Sequence, residues 1–170
     1  MAIANLYFVN IMAKNSINLF ALGLTFEQLS SELLTYFSKW SEEIDNAEPI
    51  FDIKGKQLEH VTRDVPHFQS IYALKAAEAK AVVKWLEIFK SQKESRYLKN
   101  YNNSPRALGV KEQSIYLQGE KEIIEINQLI VEANLKLQQF EEIVEALKQL
   151  SWTCSNIVKL RVAELTDIVI

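Results

Sequence analysis

The chain has 170 residues, 48% of them hydrophobic, and a net charge of −3. This composition supports one domain with a real core and excludes wholesale disorder. Only 4 Gly and 3 Pro are present, which excludes turn-rich sandwiches, barrels and doubly wound sheets, and the acidic balance confines any polyanion site to a local patch.

Residues 1–24 read as an irregular N-terminal extension. The stretch is apolar, but it lacks a basic n-region, and Asn5, Asn10, Lys14, Asn15 and Asn18 interrupt it. Neither a signal peptide nor a membrane span is expected. Residues 25–170 then read as a single all-α domain. Thr25-Phe-Glu-Gln28 has the form of a capping box. Phe26, Leu29, Leu33, Tyr36, Phe37 and Trp40 follow at helical spacing, which predicts a first helix over 26–44, stopped before Pro49. Residues 50–55 form a connector. Leu58, Val61, Val65, Phe68 and Tyr72 resume the helical step, and Ala79, Val82, Leu86 and Phe89 continue it. Pro66 interrupts that run, so a short helix over 56–63 and a long one over 65–100 are expected, with Asp64 as cap. Residues 101–111 (YNNSPRALGVK) carry the strongest loop signal in the chain.

The last predicted element is a helix over about 113–166. Ile126, Ile130, Ala133, Leu137, Phe140, Val144, Leu147, Ser151, Cys154 and Val158 alternate steps of four and three, an a/d heptad seam. Such a helix would be roughly 80 Å long. It is expected to pack antiparallel against 65–100 as a hairpin, with the shorter N-terminal helices across it. Its excess length assigns Ile130, Leu137, Phe140, Val144, Leu147, Cys154 and Val158 to a coiled-coil seam between copies in a homo-oligomer.

No catalytic constellation is visible. His60 and His67 are the only histidines, and with Glu59 or Asp64 they make a poor metal set, so no metal is expected. The one cysteine, Cys154, excludes an intrachain disulfide, fits a reducing, cytoplasmic compartment, and lies on the seam as a small hydrophobe. Phosphate loops, nucleophile elbows and H-E-x-x-H are absent, so neither an enzyme nor a cofactor is expected. A small all-α enzyme using His60 or His67 is the weakest rival reading.

Charge is unevenly spread. Residues 84–111 hold seven cations against two carboxylates, a net +5, while 112–150 hold three against eight, a net −5. The basic stretch is interleaved with Trp85, Phe89, Tyr97 and Tyr101, and Tyr116 follows the loop. Cations that track a phosphate backbone, with rings that offer stacking faces, suit sequence-tolerant single-strand binding. The candidate nucleic-acid-binding residues are Lys90, Lys93, Arg96, Tyr97, Lys99, Tyr101 and Arg106; Trp85 and Phe89 read as core. The competing reading has the basic helix simply pairing with the acidic one. The chain would then be a coiled-coil structural or adaptor protein with no DNA role.

The segment 117–161 carries Glu120-Lys121-Glu122, apolar Ile123, Ile124 and Ile126, Ala-Leu-Lys at 146–148, and a closing aromatic-then-basic stretch ending at Arg161. With FDIKGKQLEHV and the basic helix ending in RYLKNY, it resembles the UvsY-type phage recombination mediators over about 51–165. The resemblance implies a non-enzymatic protein that binds single-stranded DNA, forms ring-like homo-oligomers, and loads a RecA-like recombinase onto strands coated by single-strand-binding protein. It would act in the host cytoplasm. The family's binding motif is Lys-x-Arg followed by paired aromatics. Here Lys93 and Arg96 are separated by two residues, one of them Glu94. That departure weakens the transfer of the binding role to these two positions, while Lys99 and Arg106 supply charge nearby.

Overall fold

A computed structural model of the chain describes residues 26–102 and 109–162. The expected N-terminal extension, Thr25, Arg106 and the end of the last helix beyond 162 lie outside these residues. In chain order the elements are α1 (Phe26–Asp45), α2 (Glu48–Phe51), α3 (Leu58–Asn102), α4 (Val110–Gly119) and α5 (Lys121–Val162). Every described element is a helix, so the fold is all-α, as the few breakers predict.

α1 forms where its apolar step predicts. Leu29, Leu33, Phe37 and Trp40 lie on one side and are almost completely buried. The helix ends in a turn in which Asn46 donates to the Glu42 carbonyl and Ala47 to that of Ile44. α2 follows, with Pro49 in its first turn, where a missing N–H costs nothing. The expected connector therefore begins as a single helical turn. After it, the Asp52 side chain accepts from the Lys54 N–H at 3.1 Å, and Lys56 N–H reaches the Ile53 carbonyl. Gly55 sits third in that turn at φ +73°, a backbone setting that favours glycine.

Two expected boundaries need correction. α3 runs unbroken for 45 residues through Pro66, so there is no separate helix over 56–63 and Asp64 is no cap. Proline removes the N–H that would bond the carbonyl of residue 62, at a cost of about 3 kcal/mol in a helix interior. Burial of Val61, Val65 and Tyr72 on the same helix outweighs it. The predicted 113–166 helix is two helices. α4 ends at Gly119, and Glu120 has extended backbone, φ −66° and ψ 125°. Glu120 then starts α5, its carbonyl accepting from Ile124 N–H at 3.0 Å. Glycine's weak helix propensity places the joint.

The chain divides into two compact units, to which α1, α3 and α5 each contribute residues. The first includes 26–39, 78–102 and 109–135 of the described residues. Its core is largely aliphatic: Leu29 and Leu33 of α1, Val82 and Leu86 of α3, Ile126 and Leu129 of α5. Rising numbers on α3 meet falling numbers on α5 there, since Tyr97 reaches Glu122 and Tyr101 reaches Glu120. The two helices thus run antiparallel, as expected of the hairpin. The second unit includes 40–77 and 136–162 and is built on rings. Phe140 packs edge-on against Trp40 at 5.8 Å between centroids, and Tyr72 lies 6.3 Å from it. Around them are Val61, Val65, Ile143, Leu147 and Cys154. Lys75 pairs with Glu43 at 2.6 Å.

The proposed intersubunit seam also needs correction. Phe140, Leu147 and Cys154 are 0% exposed and are spent in the chain's own core. Ile130, Leu137 and Val144 are half-buried. Of the seven seam residues, Val158 alone is exposed, at 42%. Among the described residues, no helix is long and apolar enough to cross a membrane.

Candidate nucleic-acid interface

The basic part of α3 lies in the first unit, and its cations fall into two groups. The first group turns toward other groups of the protein. Lys93 is half-buried, its side chain 18% exposed, and its ammonium sits 3.0 and 3.2 Å from the two carboxylate oxygens of Glu122. It also lies over the rings of Phe89 and Phe26, 5.4 and 6.0 Å from their centroids. Tyr97 donates to the same Glu122 at 3.2 Å, and Tyr101 donates to Glu120 at 2.5 Å. Burial raises the Tyr97 phenol above its ordinary value, reinforced by Glu122. Burial, then the hydrogen bond and charge of Glu120, push Tyr101 up to about 12. Tyr101 lies 6.4 Å from both Tyr97 and the exposed ring of Tyr116. Lys90 pairs with Glu94, one turn along α3, at 3.7 Å.

The second group faces solvent. Lys80, Lys84, Arg96 and Lys99 are exposed, and none has a carboxylate partner among the described residues. At about 100° per residue, Lys84, Ser91, Ser95 and Lys99 fall within roughly 100° of Lys80 around the helix, and Arg96 lies about 60° beyond Lys99. The span from Lys80 to Lys99 is about 28 Å at the helical rise. Glu87 is the exposed carboxylate on this side.

A slab of rings lies on another side of α3, about 140–180° around from Lys80 and beneath Lys93. Phe26 stacks on Phe89 at 6.2 Å and 10°, and Trp85 stacks on Phe89 at 5.3 Å and 11°. All three are half-buried. Trp85 and Phe89 therefore sit at the margin, where the sequence suggested core.

Of the sequence-predicted residues, the structure brings Lys93, Tyr97 and Tyr101 together, but around carboxylates. It leaves Arg96 and Lys99 in solvent and couples Lys90 to Glu94. Lys80 and Lys84 escaped the sequence set although their four-residue step marks one helix side. The role of Glu120 and Glu122 required the register between α3 and α5, which no local pattern carries.

Elsewhere the chemistry is sparse. His60 Nδ1 lies 3.1 Å from an Arg63 guanidinium nitrogen, and His67 packs near Phe68. A mostly apolar cleft of about 380 Å³ in the second unit is walled by Ile50, Val61, Val65 and Phe68, with His60 at its edge. Among the described residues, no group of three His, Cys, Asp or Glu side chains is placed to hold a metal ion. No protein-family model, curated protein or solved structure matches this chain.

Proposed function

We propose that this protein binds single-stranded DNA along the solvent side of α3 without catalysis, and that it serves as a recombination mediator presenting coated strands to a RecA-like recombinase. One observation carries the binding half of this reading: Lys80, Lys84 and Lys99 fall within roughly 100° of one another around α3, with exposed Arg96 farther round, and none has a carboxylate partner among the described residues. Four desolvation-free cations over about 28 Å favour a flexible polyanion through release of its counterions. The mediator half rests on the resemblance of 117–161. Strand binding would compete with single-strand-binding protein and offer the freed segment to the recombinase. Self-association would fall on the apolar residues that α5 leaves in solvent in the second unit, Trp152 (70% exposed), Val158 and Leu160.

The test is a salt titration of binding to a labelled oligothymidylate. The change Lys80→Glu/Lys84→Glu/Lys99→Glu is expected to weaken binding and flatten the log–log salt slope by about 2, roughly 0.7 per lost phosphate contact. Unchanged affinity and slope would remove the proposed surface.

A second reading is favoured by the Lys93–Glu122 pair. Part of the basic helix does pair with the acidic one, as a structural or adaptor protein requires. That reading predicts no affinity for the strand even at low salt. Mass measurement with and without the oligonucleotide separates the two.

A further inference from the structure

The basic end of α3 contains a set of donors that is already occupied. The Lys93 ammonium and the Tyr97 hydroxyl converge on Glu122, and the Tyr101 hydroxyl on Glu120. An ammonium and two phenols around anionic oxygens are equally the donors a phosphodiester needs, because both acceptors present two oxygens sharing negative charge. One occupant, Glu120, belongs to a lightly held segment; the other, Glu122, lies in the first turn of α5 beside buried Ile123, where its half-buried side chain can turn aside by rotation about its own bonds. Glu120 is the non-helical joint between α4 and α5, and its N–H reaches the Leu117 carbonyl only at 3.3 Å. α4 contains no buried residue. Among its ties to α3 are the Tyr101–Tyr116 ring contact and a 2.8 Å hydrogen bond from Gln113 to Asn102. Shifting this joint exposes little apolar surface, so it is inexpensive.

We propose that Lys93, Tyr97 and Tyr101 form an oxyanion seat that the chain's own Glu120 and Glu122 keep closed, and that a phosphodiester of the bound strand displaces these carboxylates to occupy it. This rests on the strand-binding reading above and adds regulation to it. The outward cations set the first encounter. The seat engages only when a local phosphate concentration, raised by that encounter, outcompetes two tethered carboxylates. Exchange replaces one set of charge-assisted hydrogen bonds by another, so the donors are never left bare in a half-buried site. The raised phenol values of Tyr97 and Tyr101 fit groups that stay protonated as donors throughout.

The experiment uses the full chain and the labelled oligothymidylate. Glu120→Gln/Glu122→Gln keeps shape while removing the competing charge. Affinity is expected to rise about tenfold, in the range for a charge-assisted hydrogen bond, and the salt slope to steepen by about 0.7 for one added phosphate. Adding Lys93→Gln should erase both changes. A gain that survives Lys93→Gln would mean a general field effect and overturn the seat. No gain from the Gln pair would also overturn it, while a loss on reversing Lys80, Lys84 and Lys99 would leave the strand-binding reading standing. Failure of the parent and the Gln pair alike to bind at low salt would end both. If circular dichroism shows the Gln pair unfolded, Glu122→Gln alone takes its place under the same outcomes.

Discussion

The two units are cut from the same helices but weight their aromatic residues differently. In the second unit Trp40, Tyr72 and Phe140 form the centre of the core. In the first, the core is Phe37 with mainly Leu, Val, Ile and Ala, and Phe26, Trp85, Phe89, Tyr97 and Tyr101 sit half-buried at its margin. A ring placed centrally contributes its whole area to stability. A ring at the margin gives up part of that area and keeps an edge or face for something else. The lesson is a difference of weighting along continuous helices: one region centres its core on rings, the other keeps most of its rings at the margin.

The sharpest way to break this contrast is to remove the central ring. Phe140→Ala should cost about 3–5 kcal/mol by urea unfolding, because a fully buried ring leaves a cavity between Trp40 and Tyr72. The aliphatic counterpart in the first unit, Leu86→Ala, should cost about 3 kcal/mol. A Phe140→Ala loss no larger than that of Phe89→Ala would refute the difference. Next in size is a gain. Pro66→Ala restores the missing N–H in α3 and should stabilise by about 2 kcal/mol, after allowance for the looser unfolded chain. Thermal melting reads it directly.

A smaller effect concerns the margin of the first unit. Tyr101→Phe should cost about 1 kcal/mol near neutrality, one hydrogen bond to Glu120. Its pH dependence has a definite sign. The folded state holds the phenol neutral up to about 12, above its ordinary 10. Its contribution is therefore complete below pH 10 and is lost as pH rises through about 12. Melting temperatures of parent and variant should converge across that window; parallel curves would show that the bond contributes nothing. Smallest of all, Lys75→Met should shift stability by less than about 1 kcal/mol, since the Glu43 pair is partly exposed.

These expectations follow from a fold whose helical stripes were largely readable. Leu29, Leu33, Phe37 and Trp40 are buried because a 3.6-residue period leaves one face to hide, and that period is local information. The seam through Phe140, Leu147 and Cys154 was readable for the same reason, but the identity of its partner was not. Periodicity tells that a stripe is covered, not whether by this chain or by another copy. Pro66 misled because the rule for proline is local and the burial that overrides it is tertiary. The joint at Gly119–Glu120 was hidden by apolar periodicity that continues through Ile123 and Ile126. At the candidate site, the excess of cations was plain in the sequence. Which of them are engaged depends on register: Lys93 faces Glu122, while Lys84 and Lys99 face water, though all lie on one basic helix.

The enclosed thiol of Cys154 gives the molecule a built-in clock. It is the chain's one cysteine and it has no exposed surface. A thiol reagent can reach it only when the last helix parts from its neighbours in the second unit. The labelling rate at low reagent therefore reports the population of that open form, and at high reagent the speed of opening itself. Strand binding at the first unit would leave the clock untouched if the two units open independently, and would slow it if they open as one.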